Sequence, residues 1–397
     1  MAATDARGRP GGERGFRAAM LALAALAALA ALVRAPSATA GVLPEDRADV
    51  LYHSYDGGGV TIQGPSLLVR KQFASKFSAS ANYYVDKVSS ASIDVVTTAS
   101  PYSEQRTQYS VGVDYLHDRW LMNLGFTTSE ENDYSAETFS VGLSQDFFGD
   151  LTTLSLGYSL GNDEVGRRGD PDFSDTVQRQ QYRLGLSQIL TRNLLMGFSF
   201  ETITDEGFLN NPYRSVRFID EESPVGYSYE PEVYPRTRTS DAGAVRFRYH
   251  LPFRAAIHGE YRSYADTWDI EADTFELGYT QPLDGGWLFE TKLRFYSQTA
   301  AEFYSDLFPR SNFQNFIARD KELSTFQSRT IRLGVAYDIM RGGWKFVDRG
   351  SLNLAYDHIV FEYEDFRDLT SVGAPPGQEP LYEFDANVVQ IFMSFWF

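Results

Sequence analysis

The chain is written in alternation. Val245, Phe247, Tyr249 and Leu251 interleave with Arg246, Arg248 and His250. Phe289, Thr291, Leu293 and Phe295 interleave with Glu290, Lys292 and Arg294. Leu154, Leu156, Tyr158 and Leu160 oppose Ser155, Gly157 and Ser159, and Trp120, Met122, Leu124 and Phe126 oppose Asn123 and Gly125. A period of two predicts strands with two different environments on their faces. In a soluble sandwich the apolar face meets a second sheet. Here the opposite faces are polar throughout, which predicts a barrel with lipid outside and water inside.

Sixteen such segments can be marked. They are Asp46–Asp56, Val60–Lys71, Lys76–Val88, Gln105–His117, Arg119–Glu130, Ser135–Phe147, Leu151–Asn162 and Val177–Leu190 in the first half. Leu194–Thr204, Thr239–Leu251, Arg254–Ala265, Thr267–Gln281, Gly286–Gln298, Leu323–Met340, Gly350–Tyr363 and Leu381–Phe397 follow. Short turns, such as His117-Asp118 and Pro252-Phe253, alternate with long connections at 89–104, 163–176, 205–238, 299–322 and 364–380. This asymmetry is that of short periplasmic turns and long extracellular loops, and an even strand number returns both termini to the periplasm. Gly64-Pro65 interrupts the second segment and suggests a bulge or a misassignment. Without the first pair the count is fourteen, which also satisfies parity. The fold expected is an all-β antiparallel transmembrane barrel of sixteen strands, with fourteen as the alternative.

The last strand carries a further signal. Val389, Ile391, Met393, Phe395 and Phe397 alternate with Gln390, Phe392, Ser394 and Trp396, and the sequence stops on phenylalanine. An aromatic-rich terminal strand resembles the signal read by the barrel assembly machinery of the bacterial outer membrane. At the other end, Arg7, Arg9, Arg14 and Arg17 precede an apolar run of 16 residues, Ala18–Val33, and Ala38-Thr39-Ala40 offers a cleavage site before Gly41. Residues 1–40 read as an export signal cleaved after Ala40, leaving a single barrel domain over 41–397. The alternative is a short membrane anchor.

Composition narrows the function. The chain has 24 Tyr and 29 Phe, in keeping with aromatic girdles. Its net charge is −17, and residues 1–40 carry +3 (five Arg against Asp5 and Glu13), so the mature 357 residues (397 minus 40) carry −20. That balance argues against nucleic-acid binding. Outer-membrane lipid and lipopolysaccharide, the latter bridged by cations, are the expected surroundings. With no cysteine, disulfides, thiolate zinc sites, iron–sulfur clusters and covalent haem attachment are all excluded, and no cofactor is expected.

The candidate chemistry is in the inward positions. Between residues 246 and 332 they include Arg246, Arg248, Arg262, Glu260, Glu290, Lys292, Arg294 and Arg332, with His250, His258 and Glu276. Strands from 78 to 160 present mostly Ser, Gly and Asn, with Asp114 and Asp146. A charged wall facing a small polar one creates a transverse field that selects solutes. Alternatively, the charges form a cross-strand Arg–Glu network that stiffens the barrel. Glu130-Glu131-Asn132-Asp133 and Asn162-Asp163-Glu164 are acidic, yet neither has calcium-loop spacing, and solvated turn residues are expected there. None of the five histidines lies in a nucleophile or metalloprotease motif, so an enzyme is not expected. His250 and His258 are expected to make lumen hydrogen bonds. Loop 205–238 holds Asp205, Glu206, Asp220, Glu221, Glu222, Glu230 and Glu232, with Tyr213, Tyr227, Tyr229 and Tyr234. A loop this long either constricts the pore or lies over it as a lid.

Several loop segments are recognisable. Ser89-Ser90-Ala91-Ser92-Ile93-Asp94-Val95-Val96-Thr97-Thr98-Ala99-Ser100-Pro101-Tyr102, Ile203-Thr204-Asp205-Glu206-Gly207-Phe208-Leu209-Asn210-Asn211-Pro212-Tyr213 and Tyr234-Pro235-Arg236-Thr237-Arg238-Thr239-Ser240 are three of them. Phe303-Tyr304-Ser305-Asp306-Leu307-Phe308 and Ala318-Arg319-Asp320-Lys321-Glu322-Leu323-Ser324 complete the set. With these the chain resembles an uncharacterised bacterial family, domain of unknown function 3570, over almost all of its mature length. The resemblance implies an outer-membrane-type barrel and supplies no activity. Its similarity in gene context to clusters with thioredoxin-like and flavin-transferase proteins hints at envelope redox biology. The functions left open are a passive or weakly selective channel, constricted by loops 205–238 and 299–322, or a non-conducting barrel whose loops dock a partner.

Overall fold

A computed structural model describes residues 42–90, 102–340, 342–371 and 373–397. The proposed export signal, most of the segment 89–102 and Arg341 of one short turn lie outside the described residues. The first half of the sheet holds β1 (Arg47–Gly57), β2 (Val60–Phe73), β3 (Phe77–Ser90), β4 (Tyr102–His117) and β5 (Trp120–Glu130). It continues with β6 (Tyr134–Phe147), β7 (Thr152–Gly166), β8 (Ser174–Thr191) and β9 (Leu194–Gly207). After a small hairpin of β10 (Ser215–Ile219) and β11 (Tyr227–Pro231) come β12 (Thr237–His250), β13 (Ala256–Asp266) and β14 (Glu271–Pro282). The remaining strands are β15 (Trp287–Gln298), β16 (Phe326–Asp338), β17 (Arg349–Arg367) and β18 (Leu381–Trp396).

Every strand except the hairpin belongs to one closed antiparallel barrel, sixteen strands in all, in which chain neighbours pair and β9 meets β12. Closure is made by β1 and β18, paired without interruption from Arg47↔Trp396 to Gly57↔Ala386. The approach at the end of this seam is so close that a Cβ on Gly57 would stand 2.3 Å from that of Ala386. Strands of 11 to 19 residues meet or exceed the 9–11 needed to cross a bilayer at the usual tilt, so the longer ones have length to project beyond it.

The count is sixteen, and Gly64-Pro65 is neither bulge nor break. The register is the same on both sides, Gln63↔Lys87 and Ser66↔Tyr84, and only the ladder to β3 lapses between them. On the other side both residues pair with β1. The lapse has a use: His53 of β1 reaches across Gly64 to Asp86 of β3, 2.7 Å away, and meets the Tyr84 hydroxyl at 3.1 Å. The first turn, Gly58-Gly59, has φ of +58° and +75°, the left-handed pair that a two-residue hairpin requires.

Alternation sorts the faces as expected. Val111, Leu124, Phe126, Phe198, Phe247, Phe275, Leu293 and Leu333 are exposed on the outer wall, a continuous apolar band. Val389, Ile391 and Met393 belong to it, and the Phe397 ring lies under the Lys71 ammonium at 4.9 Å. Exposed Phe73, Phe148, Phe253, Trp287, Trp344 and Phe346 gather at the short-turn end. Among the described residues, buried apolar clusters occur at the opposite end, among the long loops. Several boundaries differ from the pattern, and β7 and β17 run on to Gly166 and Arg367. Lys321–Leu323 is a 3-10 turn, so β16 starts at Phe326. A tight turn at 267–270 carries the buried Trp268 and Ile270. The β10–β11 hairpin was hidden inside a loop because five-residue strands are too short to show a period.

Unheated, the protein should migrate on detergent gels away from its heated form. Removal of residues 381–397 deletes half of the closing seam and should abolish that shift. Persistence of the shift in the truncated chain would contradict closure through β18.

Candidate functional site: the lumen and its mouth

The inward charges form cross-strand pairs. Arg246 on β12 holds Glu260 of β13, directly opposite in the register, and reaches Ser199 of β9 at 3.3 Å. Lys292 of β15 meets Glu276 of β14 at 3.1 Å. Arg332 of β16 grips Asp357 of β17 through two bonds of 2.6 Å and adds Gln390 of β18 at 3.3 Å. Arg262 lies 3.8 Å from Glu201 of β9, which also takes Arg183 of β8 at 2.8 Å. The stiffening network is therefore present. Three candidates stand outside it: Arg248, Arg294 and Glu290 make no ion pair among the described residues, and both arginines are exposed. The histidine expectation is corrected: neither the His250 nor the His258 ring hydrogen-bonds another described side chain. The His258 ring instead lies across Gly278, where a Cβ would come within 2.1 Å of Nε2.

Within the arginine pairs the cation is the more solvated partner, whereas Lys292 and Glu276 are about equally covered. The Arg246 side chain is 54% exposed against 24% for Glu260, and Arg183 63% against 25% for Glu201. Carboxylates lie against the wall and guanidinium heads extend from it. An open cavity of about 490 Å³ runs along the neighbouring strands β7, β8, β9, β12, β13 and β14, where Arg246, Arg248 and Glu260 stand beside Ser155, Ser187 and Ser199. The charged wall is wider than the sequence window of 246–332. Arg179–Asp205 and Arg183–Glu201 extend it across β8 and β9. The parity of Leu184 and Leu186 already assigned Arg183 inward; the signal was present and unused.

The mouth is closed over by packed loops. Segment 208–236 crosses it. On one side its Tyr213 hydroxyl donates to Asp133, after β5, and accepts from the Arg168 N–H, after β7, at 2.6 Å. On the other, fully buried Arg217 donates to Glu379 of the 368–380 loop at 2.5 Å and to the Asp306 carbonyl of the 299–325 loop at 2.9 Å. Arg217 also pairs with the Asp306 carboxylate. Arg319 binds the same Asp306 carboxylate at 2.9 Å and stacks on Phe366 at 4.4 Å. Val216, Phe308 and Ile317 pack beside this knot, and Tyr234, Trp268 and Phe303 meet edge to face nearby. Long loops can bury charge only in such saturated networks.

The same packing shifts protonation. Burial raises the Glu379 carboxyl, but the Arg217 bonds outweigh it and the net direction is down. Glu232 has no such partner. It is buried, accepts from the Arg319 N–H at 2.8 Å and the Tyr234 hydroxyl at 2.7 Å, and burial pushes it up to about 7, with Asp320 adding to the rise. The acidic turn residues are engaged rather than merely solvated: Asp133 by Tyr213, Asp163 by Tyr134 and Glu131 by Arg106 at 3.8 Å.

A family model described as "Protein of unknown function (DUF3570)" matches residues 93–349, more than half of the chain. No curated protein matches the sequence. Among solved structures, the chain is similar to the siderophore receptor PirA of Pseudomonas aeruginosa, with 10% identity, a TM-score of 0.43 and 81% of this chain covered. It spans 57% of that receptor's chain. It is also similar to a bacterial polysaccharide outer membrane secretin (8% identity, TM-score 0.45, 89% of this chain, 100% of that one). Pseudomonas aeruginosa OccK2 in complex with glucuronate matches with 11% identity, a TM-score of 0.42, and 90% and 99% coverage.

Arg217→Ala leaves the buried Glu379 carboxylate without its cation, while Asp306 keeps Arg319, a loss of about 3–5 kcal/mol for a buried pair broken on one side. Limited proteolysis should then cut loops 208–236, 299–325 and 368–380, while the heat-dependent gel shift remains. A second expectation follows from Glu232. Its capped-state value of about 7 lies above the ordinary 4.5, so the capped state holds a proton that an opened state releases. Cap stability should fall as pH rises from about 4.5 to 7 and then level off. Hydrogen exchange of loop amides across that range measures it, and Glu232→Gln should flatten the profile.

Proposed function

This chain belongs to the family of proteins of unknown function DUF3570, and we propose that it acts as an outer-membrane diffusion channel with a weak preference for anions. In this reading its long-loop end faces outward and its apolar band sits in lipid. One observation carries the proposal: the lumen's arginine pairs present their guanidinium heads to water and hold their carboxylates against the wall, while Arg248 and Arg294 are exposed and make no ion pair among the described residues. A solute entering the lumen therefore meets positive charge first, in a confined space where such fields are focused. The small polar wall leaves width for passage. The cap restricts entry to gaps between packed loops, which excludes bulky solutes.

A second reading rests on the cap itself. Three loops bound through buried charges form a preorganised surface, which favours a barrel that docks a partner and conducts little. Planar-bilayer recordings separate the two. A channel gives discrete conductance steps, and neutralising Arg246, Arg262, Lys292 and Arg294 together should shift its reversal potential toward cation selectivity. Absence of steps, also after removal of residues 210–235, would leave the docking reading.

A further inference from the structure

Beneath the cap the lumen holds a second, smaller cavity of about 180 Å³, bounded by Arg238, Arg262, Tyr264, Thr274 and Tyr296. Arg262, Thr274 and Tyr296 occupy one row of the sheet, in register across β13, β14 and β15. Two residues toward the short-turn end on β15 stands the unpaired Arg294. The two arginines nearest the cap differ in commitment. Arg238 is consumed: two bonds of 2.9 and 2.6 Å tie it to Asp266, and it stacks on Trp268 at 4.4 Å. Arg262 is held only by Glu201 at 3.8 Å and lies 5.8 Å from the Tyr264 ring centre, so its planar donor edge is available. The tyrosine hydroxyls donate elsewhere, Tyr264 to Asp266 at 2.7 Å and Tyr296 to Gln298 at 2.7 Å. The rings are thereby fixed as walls, Ile270 and Ala272 add apolar surface, and Gln298 and Glu322, the latter paired with Lys321 at 3.7 Å, complete the lining.

We propose that this cavity is a binding subsite for a small organic anion, its carboxylate paired with Arg262 and a flat apolar body lying between Tyr264 and Tyr296. The assignment rests on the channel reading for its meaning, as the place where a permeating solute pauses. The chemistry follows from the parts. A guanidinium fork matches a carboxylate in two parallel bonds. Aromatic walls favour a planar body over a hydrated inorganic ion. Arg294 supplies a second positive stage along the lumen, so the anion can leave toward it.

Benzoate is the probe, titrated calorimetrically into the full-length barrel in detergent, with benzyl alcohol and chloride as controls. This readout needs no conductance, so failure of the subsite and failure of the channel are distinguished. Benzoate should bind, and neither control should displace it. Arg262→Gln should weaken binding by about tenfold or more, the loss expected for a charge-assisted pair. Glu201 keeps Arg183 in that variant, so the wall retains its network, and an unchanged heat-dependent gel shift verifies it. Arg238→Gln, which removes the committed arginine, should weaken binding less than Arg262→Gln. No benzoate binding, or equal binding by wild type and Arg262→Gln, would overturn the proposal. Displacement by benzyl alcohol would overturn the carboxylate assignment, and displacement by chloride the aromatic one.

Discussion

Everything in this molecule depends on the closure of one hydrogen-bonded ladder. A strand in hydrocarbon has no water for its N–H and C=O groups, and an open edge leaves a row of them unsatisfied at several kcal/mol each. The pairing of β1 with β18 removes the last two edges. Once the ring is closed, each residue faces either lipid or lumen, and a shift by one position would turn the outer band of Phe and Leu into the water. The polar interior is a product of this constraint, since what cannot face lipid must face inward.

The lumen shows how such an interior is kept open. Charges directly opposite across strands neutralise each other, as Arg246 does with Glu260 and Arg332 with Asp357. The long arginine stems reach past shorter carboxylates and remain hydrated. The wall is thus near electrical balance across these pairs, with the arginine heads more solvated than the carboxylates they hold. The mouth follows the opposite logic: there Arg217 and Arg319 lose their water and are compensated by Asp306 and Glu379.

Much of the barrel could be read from the chain, because a period of two repeated over a dozen residues is hard to mistake. Strand number, face assignment and the inward set from Arg246 to Arg332 all follow from it. Gly64-Pro65 misled, because proline argues against a strand only where its nitrogen would donate to a neighbour, and the ladder to β3 lapses there. The cap was legible only as motifs. Phe303–Phe308 and Ala318–Ser324 stood out as words, yet nothing local says that Asp306 meets Arg217, 89 residues away. Long-range pairing between irregular segments has no period to betray it. The charged wall is wider than the window 246–332 because alternation on β8 and β9 also turns Arg179, Arg183, Glu201 and Asp205 inward.

The single guanidinium shared by three loops also bears on how this surface can vary. In a barrel with independent loops, each can lengthen, shorten or accept an inserted sequence on its own. Here a change of length in 368–380 moves Glu379, which takes a carboxylate from Arg217 and loosens the contact that this arginine makes with Asp306 of the loop 299–325. The three segments are bound to drift as a unit, so compensated substitutions should recur across them. The segment 167–173 meets the cap through the Arg168 N–H and the edge-to-face contact of Phe173 with Phe208, and its exposed tip Arg167–Gly169 is the place where foreign sequence can be displayed without touching the Arg217 knot.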